Sequence, residues 1–221
     1  MLHLYALTEH PAKLPEDAGP DEPRLRAVTI EGTLDAVVAE IAERPGAPTE
    51  AAILAHARVV EAIAALNDAV LPARFGGAVA GEQELAGELE DRLPQLTAAL
   101  ERVRGCVEVG LRVLDQSAED GKQSHRSGRE YMLERLAEVR AAERLASEIH
   151  EFLAASARDS SYHVLASPQL LLSAAYLVPR AEVESFRAAV EEAERDRPGL
   201  AFVCTGPWPP YSFALVEREG Q

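Results

Sequence analysis

Val107-Glu108-Val109-Gly110-Leu111-Arg112-Val113-Leu114 is the stretch on which the fold reading turns. Val107, Val109, Leu111 and Val113 alternate with Glu108 and Arg112, and a period of two belongs to a strand with one buried face. Downstream, Met132, Leu136, Val139, Ala142, Ala146, Ile149 and Leu153 recur at threes and fours, so residues 128–157 read as one long amphipathic helix. That stripe suits either a dimeric coiled coil or packing across the chain's own sheet. Its two alanines favour the sheet. Residues 161–166 read as a short strand, and residues 169–178 are nearly continuous in apolar side chains, as in a central strand. Pro179 ends that run, and residues 182–195 are helical around Val183, Phe186 and Val190. Pro198-Gly199 then turns the chain into Leu200-Ala201-Phe202-Val203-Cys204, a short apolar strand. The order from Val107 is therefore β-α-β-β-α-β, the ferredoxin-like arrangement of one sheet with two helices on one face. The polar run 117–127 between strand and helix reads as a loop.

In such a sheet the first and last strands are antiparallel neighbours. Cys106 begins one and Cys204 ends the other, so their Cα atoms are expected within roughly 7 Å, near disulfide reach. As two cysteines in 221 residues make no disulfide framework, free thiols are expected.

Upstream of Gly105 the pattern is again mixed. Residues 2–7 and 25–30 read as strands, separated by a Pro-, Asp- and Glu-rich stretch from Lys13 to Pro23 that reads as an exposed loop. Residues 34–41 fit a strand or a helical turn, and pattern alone does not choose. Thr49 offers an N-cap for a helix through about Asn67, with Ile53, Ala57, Val60 and Ala64 on its apolar stripe, widened by Leu54 and Ile63. His56 sits beside that stripe with no Ser, Cys or Asp at a suggestive spacing, so it reads as a partly buried structural residue. Val70 to Gly77 is an edge strand that tolerates Pro72, followed by a glycine turn. The two glycines also permit a phosphate loop, but the spacing is not Gly-x-Gly-x-x-Gly and no Lys-Ser/Thr pair follows. Residues 82–104 are helical, with Pro94 marking either a kink or the first turn of a second helix. The chain thus reads as α+β in two domains, residues 1–104 and 105–221.

Past Cys204 comes Thr205-Gly206-Pro207-Trp208-Pro209-Pro210-Tyr211-Ser212-Phe213, which contains the sole tryptophan. Its prolines make it stiff and extended. Such a tail is either a lid over its own domain or an adhesive edge. A large aromatic usually ends up buried, which favours the lid, with Tyr211 and Phe213 continuing it as an extra strand or clasp.

Composition excludes several function classes. With 22 basic and 37 acidic residues the net charge is −15, and acidic residues outnumber basic ones on both sides of Gly105. Nucleic acid and anionic membrane surfaces are therefore unfavourable partners. No uncharged apolar run approaches the ~20 residues that span a bilayer, and residues 1–7 lack the basic flank of a signal peptide, so a cytoplasmic location is expected. His150 and His163 have no Cys or carboxylate cluster at metal spacing, so no metal, cofactor or catalytic residue is assigned.

Thr205 to Phe213 resembles the C-terminal signature of the gas vesicle protein F/L family. Leu71-Pro72-Ala73-Arg74-Phe75-Gly76 is similar to that family's Leu-Pro-Val-Arg-Phe-Gly element, and Gly128-Arg129-Glu130-Tyr131-Met132 to its Gly-Arg-Glu-Tyr-Leu motif. The N-terminal strand and Ala175 to Val178 extend the likeness, so it spans nearly the whole chain. Departures are Ala73 in place of valine and Pro94 inside a helix. The resemblance implies two α+β domains, the second a modified ferredoxin-like fold ending in the Trp-Pro-Pro tail. It also implies a non-enzymatic accessory protein of gas vesicle assembly, located in the cytoplasm and at gas vesicles. The implied partners are the small, very apolar major shell protein and other gas vesicle accessory proteins. Arg74, Arg129, Trp208, Pro209, Pro210 and Tyr211 are the signature residues carried over for partner binding or structure, and Arg74 is expected to pair with an acidic side chain of its own domain. The competing class is a small-molecule-binding or enzymatic protein that uses the ferredoxin-like sheet as a platform. It requires three or more of His3, His56, His150 and His163 to converge on one pocket.

Overall fold

A computed structural model of the chain describes residues 1–16, 23–116, 128–163 and 170–214. The loop expected at 117–127, the end of the strand expected at 161–166 and much of the acidic stretch after Lys13 lie outside these residues. The described chain is a mixed α and β fold with two sheets and five helices. It divides into two compact units, Met1–Val107 with Trp208–Gln221, and Glu108–Pro207.

The first unit is built on β1 (Leu2–Glu9), flanked on one side by β3 (Leu34–Glu40) and on the other by β4 (Val70–Pro72) and the two-residue β5 (Ala78–Val79). The strand β2 (Leu25–Ile30) pairs with the far side of β3. All these pairings are antiparallel. Residues 34–40 are thus a strand, buried at every position but the last. Pattern does not reveal this because both faces of β3 are covered, and a two-sided strand loses its alternation. One face receives α1 (Glu50–Leu66) through His56, Val60, Ile63 and Ala64. Thr49 caps that helix, its Oγ1 accepting from Ala52 N–H at 3.2 Å. Pro94 starts a second helix rather than kinking one. After α2 (Glu82–Glu90), α3 (Leu93–Val103) opens with the proline in its first turn, where no N–H is missed.

Two buried side chains fix the loops of this unit. Asp35 accepts hydrogen bonds from Ala12 N–H at 2.7 Å and from His10 Nδ1–H at 3.0 Å. Burial raises its carboxyl pKa, but the bonds from Thr29, Ala12 and His10 outweigh that and hold it below the usual value. Asn67, just past α1, donates to Ile63 O and Lys13 O at 2.8 Å each and accepts from Lys13 N–H at 2.9 Å.

The second unit has β6 (Cys106–Asp115), α4 (Gly128–Ala154), β7 (Asp159–His163), β8 (Leu170–Pro179), α5 (Val183–Arg195) and β9 (Leu200–Trp208), in sheet order β7-β8-β6-β9. Val109, Leu111 and Val113 are buried on one side of β6, as the alternation requires. Gly110 faces the other way: a Cβ there would stand 2.7 Å from Thr205 Oγ1. The ladder between β6 and β9 is antiparallel, with Gly110 beside Thr205 and Gln116 N–H donating to Gly199 O at 3.0 Å.

That register corrects the cysteine expectation. Cys204 lies across from Leu111, five residues along β6 from Cys106, and neither cysteine is in a disulfide. The strand order is as read; what differs is the length of β9, which continues through Trp208 instead of ending at Cys204. On this register Trp208 itself lies across from Val107, the second residue of β6. The outer edge of β9 is partly occupied by α5: Phe202 N–H donates to Glu194 Oε1 at 3.1 Å, and Arg187 Nη2 donates to Gly206 O at 2.7 Å. Charged side chains placed on an edge strand in this way hinder strand addition.

Among the described side chains of α4, those of the long stripe that are buried lie in its C-terminal half. Ala146, Ile149 and Leu153 are buried, whereas Met132 is 72% exposed and Leu133 and Leu136 are also exposed. A helix of 27 residues is roughly 40 Å long and outruns the sheet it covers.

Asn67→Ala is expected to destabilise the first unit by about 2 kcal/mol, because it strands the amide and carbonyl of Lys13. Urea unfolding of the two proteins measures this. A difference below about 0.5 kcal/mol would mean that water replaces these bonds.

Candidate functional site

The element Val70–Gly77 leaves β4 as a turn, and neighbouring groups hold that turn in place. Ala73 N–H donates to Tyr5 O at 2.8 Å, Leu4 N–H donates to Gly77 O at 3.1 Å, and Gly77 N–H closes on Arg74 O at 3.4 Å. Beneath it lies a histidine relay. His56 Nε2 stands 2.9 Å from Ala73 O, an atom that can only accept, so Nε2 carries the proton. His56 Nδ1 then accepts from His3 Nε2–H at 2.9 Å. This leaves His3 Nδ1 as a buried lone pair with no partner among the described residues. Tyr5 stacks on His56 at 5.0 Å between ring centroids, and Phe75 meets it edge-on at 5.8 Å. A bulge at Tyr5, where Leu4 pairs with Val38 and Ala6 with Val37, turns both Tyr5 and Ala6 towards α1.

Beside this turn is a cleft of roughly 480 Å³. Leu4, Leu7, Leu71, Leu85, Leu89 and Leu96 contribute an apolar lining, and Arg44, Arg74, Arg92, Glu84 and Glu88 the charges. Arg44 is committed, with Nη2 donating to Ala78 O at 2.9 Å. Arg74 is exposed and makes no ion pair among the described residues, contrary to the expected pairing with an acid of its own domain. Glu84, the acid on the facing wall, is instead taken by Ala80 N–H.

Tyr211 and Ala214 also line this cleft, so the C-terminal tail returns to the first unit. Pro209 and Pro210 are buried, Tyr211 is half-buried against the α1 core cluster, and Phe213 is 2% exposed. Arg102 lies over the Phe213 ring at 5.6 Å and donates to Phe213 O at 3.4 Å. Burial pushes the Tyr211 phenol up to about 12, with Glu61 adding to the shift. Trp208 does not take part in this packing. It is 45% exposed, which corrects the expectation that it is the buried lid. The physical reason is strand register: Trp208 is the last residue of β9, while Pro209 to Phe213 turn away as the clasp.

Of the signature residues, Arg74, Pro209, Pro210 and Tyr211 come together around the first unit. Arg129 lies exposed in the first turn of α4, in the other unit. Sequence reading missed Arg44, Glu84 and Glu88 as neighbours of Arg74, since only the pairing of β1 with both β4 and β5 brings them there.

Among the described histidines only His3 and His56 meet. His150 lies in the second unit, with Nδ1 3.2 Å from Tyr176 Oη, Nε2 3.5 Å from Ser160 Oγ, and the Tyr162 ring stacked on it at 3.8 Å. This row resembles a nucleophile relay in outline, but Ser160 N–H is engaged by Asp159 Oδ1 at 2.7 Å and supplies no oxyanion donor. Among the described residues no group of three or more His, Cys, Asp or Glu is placed to hold a metal, and no helix is long and apolar enough to cross a membrane.

A sequence model of the family described as "Gas vesicle synthesis protein GvpL/GvpF" matches residues 1–215. The chain is 29% identical over 197 residues to gas vesicle protein F2 of Halobacterium salinarum, covering 86% of this chain and 81% of that protein. It is 32% identical over 187 residues to gas vesicle protein L of a Streptomyces species, covering 75% of this chain and 69% of that one. Its fold is similar to the crystal structure of GvpF from Anabaena sp. PCC7120, with TM-score 0.81 at 21% identity, covering 100% of this chain and 98% of that one.

Burial lowers the pKa of His3, with His56 adding to the shift, and burial lowers that of His56 against an opposing bond to Ala73. Both groups therefore bind protons more readily when unfolded. Their contribution to stability is complete above the unfolded value of 6.5 and is lost as pH falls through the lower folded values. Ring ¹⁵N shifts at pH 6.5 are expected to show both imidazoles more neutral than free histidine, and the urea midpoint to decline as pH falls below that value. A His56 ring charged to the extent of free histidine or beyond would contradict the relay. Phe213→Ala is expected to cost about 3–4 kcal/mol, and an unchanged melting curve would show the clasp to be loose.

Proposed function

Since the chain belongs to the gas vesicle synthesis protein GvpL/GvpF family, we propose that it is a non-enzymatic accessory protein of gas vesicle assembly that binds the apolar major shell protein. The observation that carries this reading is the family match across residues 1–215, supported by named gas vesicle relatives over most of the chain. Physical properties of the chain fit the role. Unassembled shell subunits expose apolar surface, and a partner with net charge −15 stays soluble while covering it. The histidines that an enzymatic reading needs lie in separate units, two in one and two in the other. On this reading the protein works in the cytoplasm and at the vesicle. We further read the β-α-β-β-α-β order and the β7-β8-β6-β9 sheet as a modified ferredoxin-like domain within residues 105–221, with residues 1–104 as the first domain and the Trp-Pro-Pro tail closing back from the second.

Exposure of Trp208 favours the adhesive role over the lid for this side chain. A large, half-exposed aromatic beside a rigid proline pair is the kind of residue that dominates binding interfaces. Trp208→Ala is accordingly expected to leave the melting temperature almost unchanged and to weaken retention of purified shell protein on the immobilised chain by about tenfold or more. Undiminished retention would remove Trp208 from the interface. Failure of the native chain to retain shell protein at all would overturn the function. Probing washed vesicles for the protein separates a lasting component from a transient one.

A further inference from the structure

From the geometry of the cleft in the first unit we infer a binding site for the free C-terminal carboxylate of an apolar peptide chain. The inference does not rest on binding of the shell protein. Among the described residues the Arg74 guanidinium has no hydrogen-bond or ion-pair partner, and Arg74 and Gly76 both lie in the cleft lining. Among the described residues the amides of Arg74 and Gly76 have no hydrogen-bond acceptor. Gly76 has φ +95°, a left-handed conformation that glycine adopts without strain, and the turn closes with Gly77 N–H on Arg74 O at 3.4 Å. The turn is anchored on three sides, by the bonds to Tyr5 O, from Leu4 N–H and from His56, so these donors are held before any ligand arrives. Preorganised donors and a forked guanidinium are suited to a carboxylate, whose two oxygens take both.

Leucines beside those donors define the rest of the ligand. At a C-terminus the last side chain branches from the carbon that bears the carboxylate, so one residue fills the apolar lining and reaches the anion donors together. An Asp or Glu side chain spends its own length reaching the donors and leaves the leucines to its neighbours. Glu84 and Glu88 on the opposite wall disfavour a second negative group on the ligand. A volume of roughly 480 Å³ lies in the range of small-ligand sites and suits a few residues of peptide.

The test is titration of ¹⁵N-labelled full-length protein with acetyl-Leu-Val-Leu carrying a free carboxylate, with the same peptide as its C-terminal amide, and with acetyl-Leu-Asp-Leu amide. The acid is expected to give saturable shifts at the Arg74 and Gly76 amides, and both amides to bind at least about tenfold more weakly. Arg74→Gln is expected to reduce the acid to the level of its amide with an unchanged melting temperature, and Arg74→Lys to recover part of the difference. No saturable shift with the acid, equal binding of acid and amide, or an Asp peptide that binds as well as the acid would each overturn the assignment.

Discussion

The register of β1 is the constraint on which the first unit depends. This strand is paired on both sides, to β3 along one edge and to β4 and β5 along the other. Its two faces carry different chemistry. His3, Tyr5 and Ala6 meet α1, while Leu4 and Leu7 line the cleft. A slip of one residue would exchange these faces, placing leucines against His56 and histidine in the apolar lining. The bulge at Tyr5 makes the arrangement more specific, since it sets two successive side chains towards the same helix.

The histidine relay couples this register to the turn that bears Arg74. His3 belongs to β1, His56 to α1, and the acceptor Ala73 O to the turn itself. One proton chain therefore joins three elements that are far apart in sequence. It works only while the His56 ring is neutral, and burial lowers the pKa of both rings and so favours that form. The lone pair left on His3 Nδ1 is the cost of that chain: a relay ending on a carbonyl acceptor must begin with an unfilled acceptor.

Two of the sheet edges, one in each unit, are handled differently. In the second unit, Glu194 and Arg187 of α5 occupy backbone groups on the outer edge of β9. In the first unit the C-terminal clasp does the covering, with Phe213 buried and Tyr211 packed on the α1 core. This division explains why Trp208 stays exposed. It is the last residue of a strand that is already paired, and the apolar demand of the clasp that follows is met by Phe213, Tyr211 and the two prolines.

Local pattern was enough wherever one face of an element is wet. The alternation of residues 107–114 and the stripe of α1 with its Thr49 cap each follow from burial on one side or from an N–H that needs a cap. Pro94 left a kink and a second helix both open until the structure chose the helix. Five short stretches, with the Thr205 to Phe213 signature foremost, also identified the family. Pattern failed on β3, because burial on both faces erases periodicity. It failed on the first half of α4, because nothing in a stripe says how far the facing sheet extends. The cysteines were misplaced because β9 keeps its ladder past Gly206-Pro207, and a strand's end is a property of its partner. The cleft was out of reach for the same reason. Arg74, Glu84, Glu88 and Tyr211 are brought together only by pairing of β1 with β4 and β5 and by return of the chain's end. Composition and periodicity thus settle which elements form and which face of each is apolar. Which strand lies beside which, and hence which side chains share a site, is decided by burial and pairing that no local window contains.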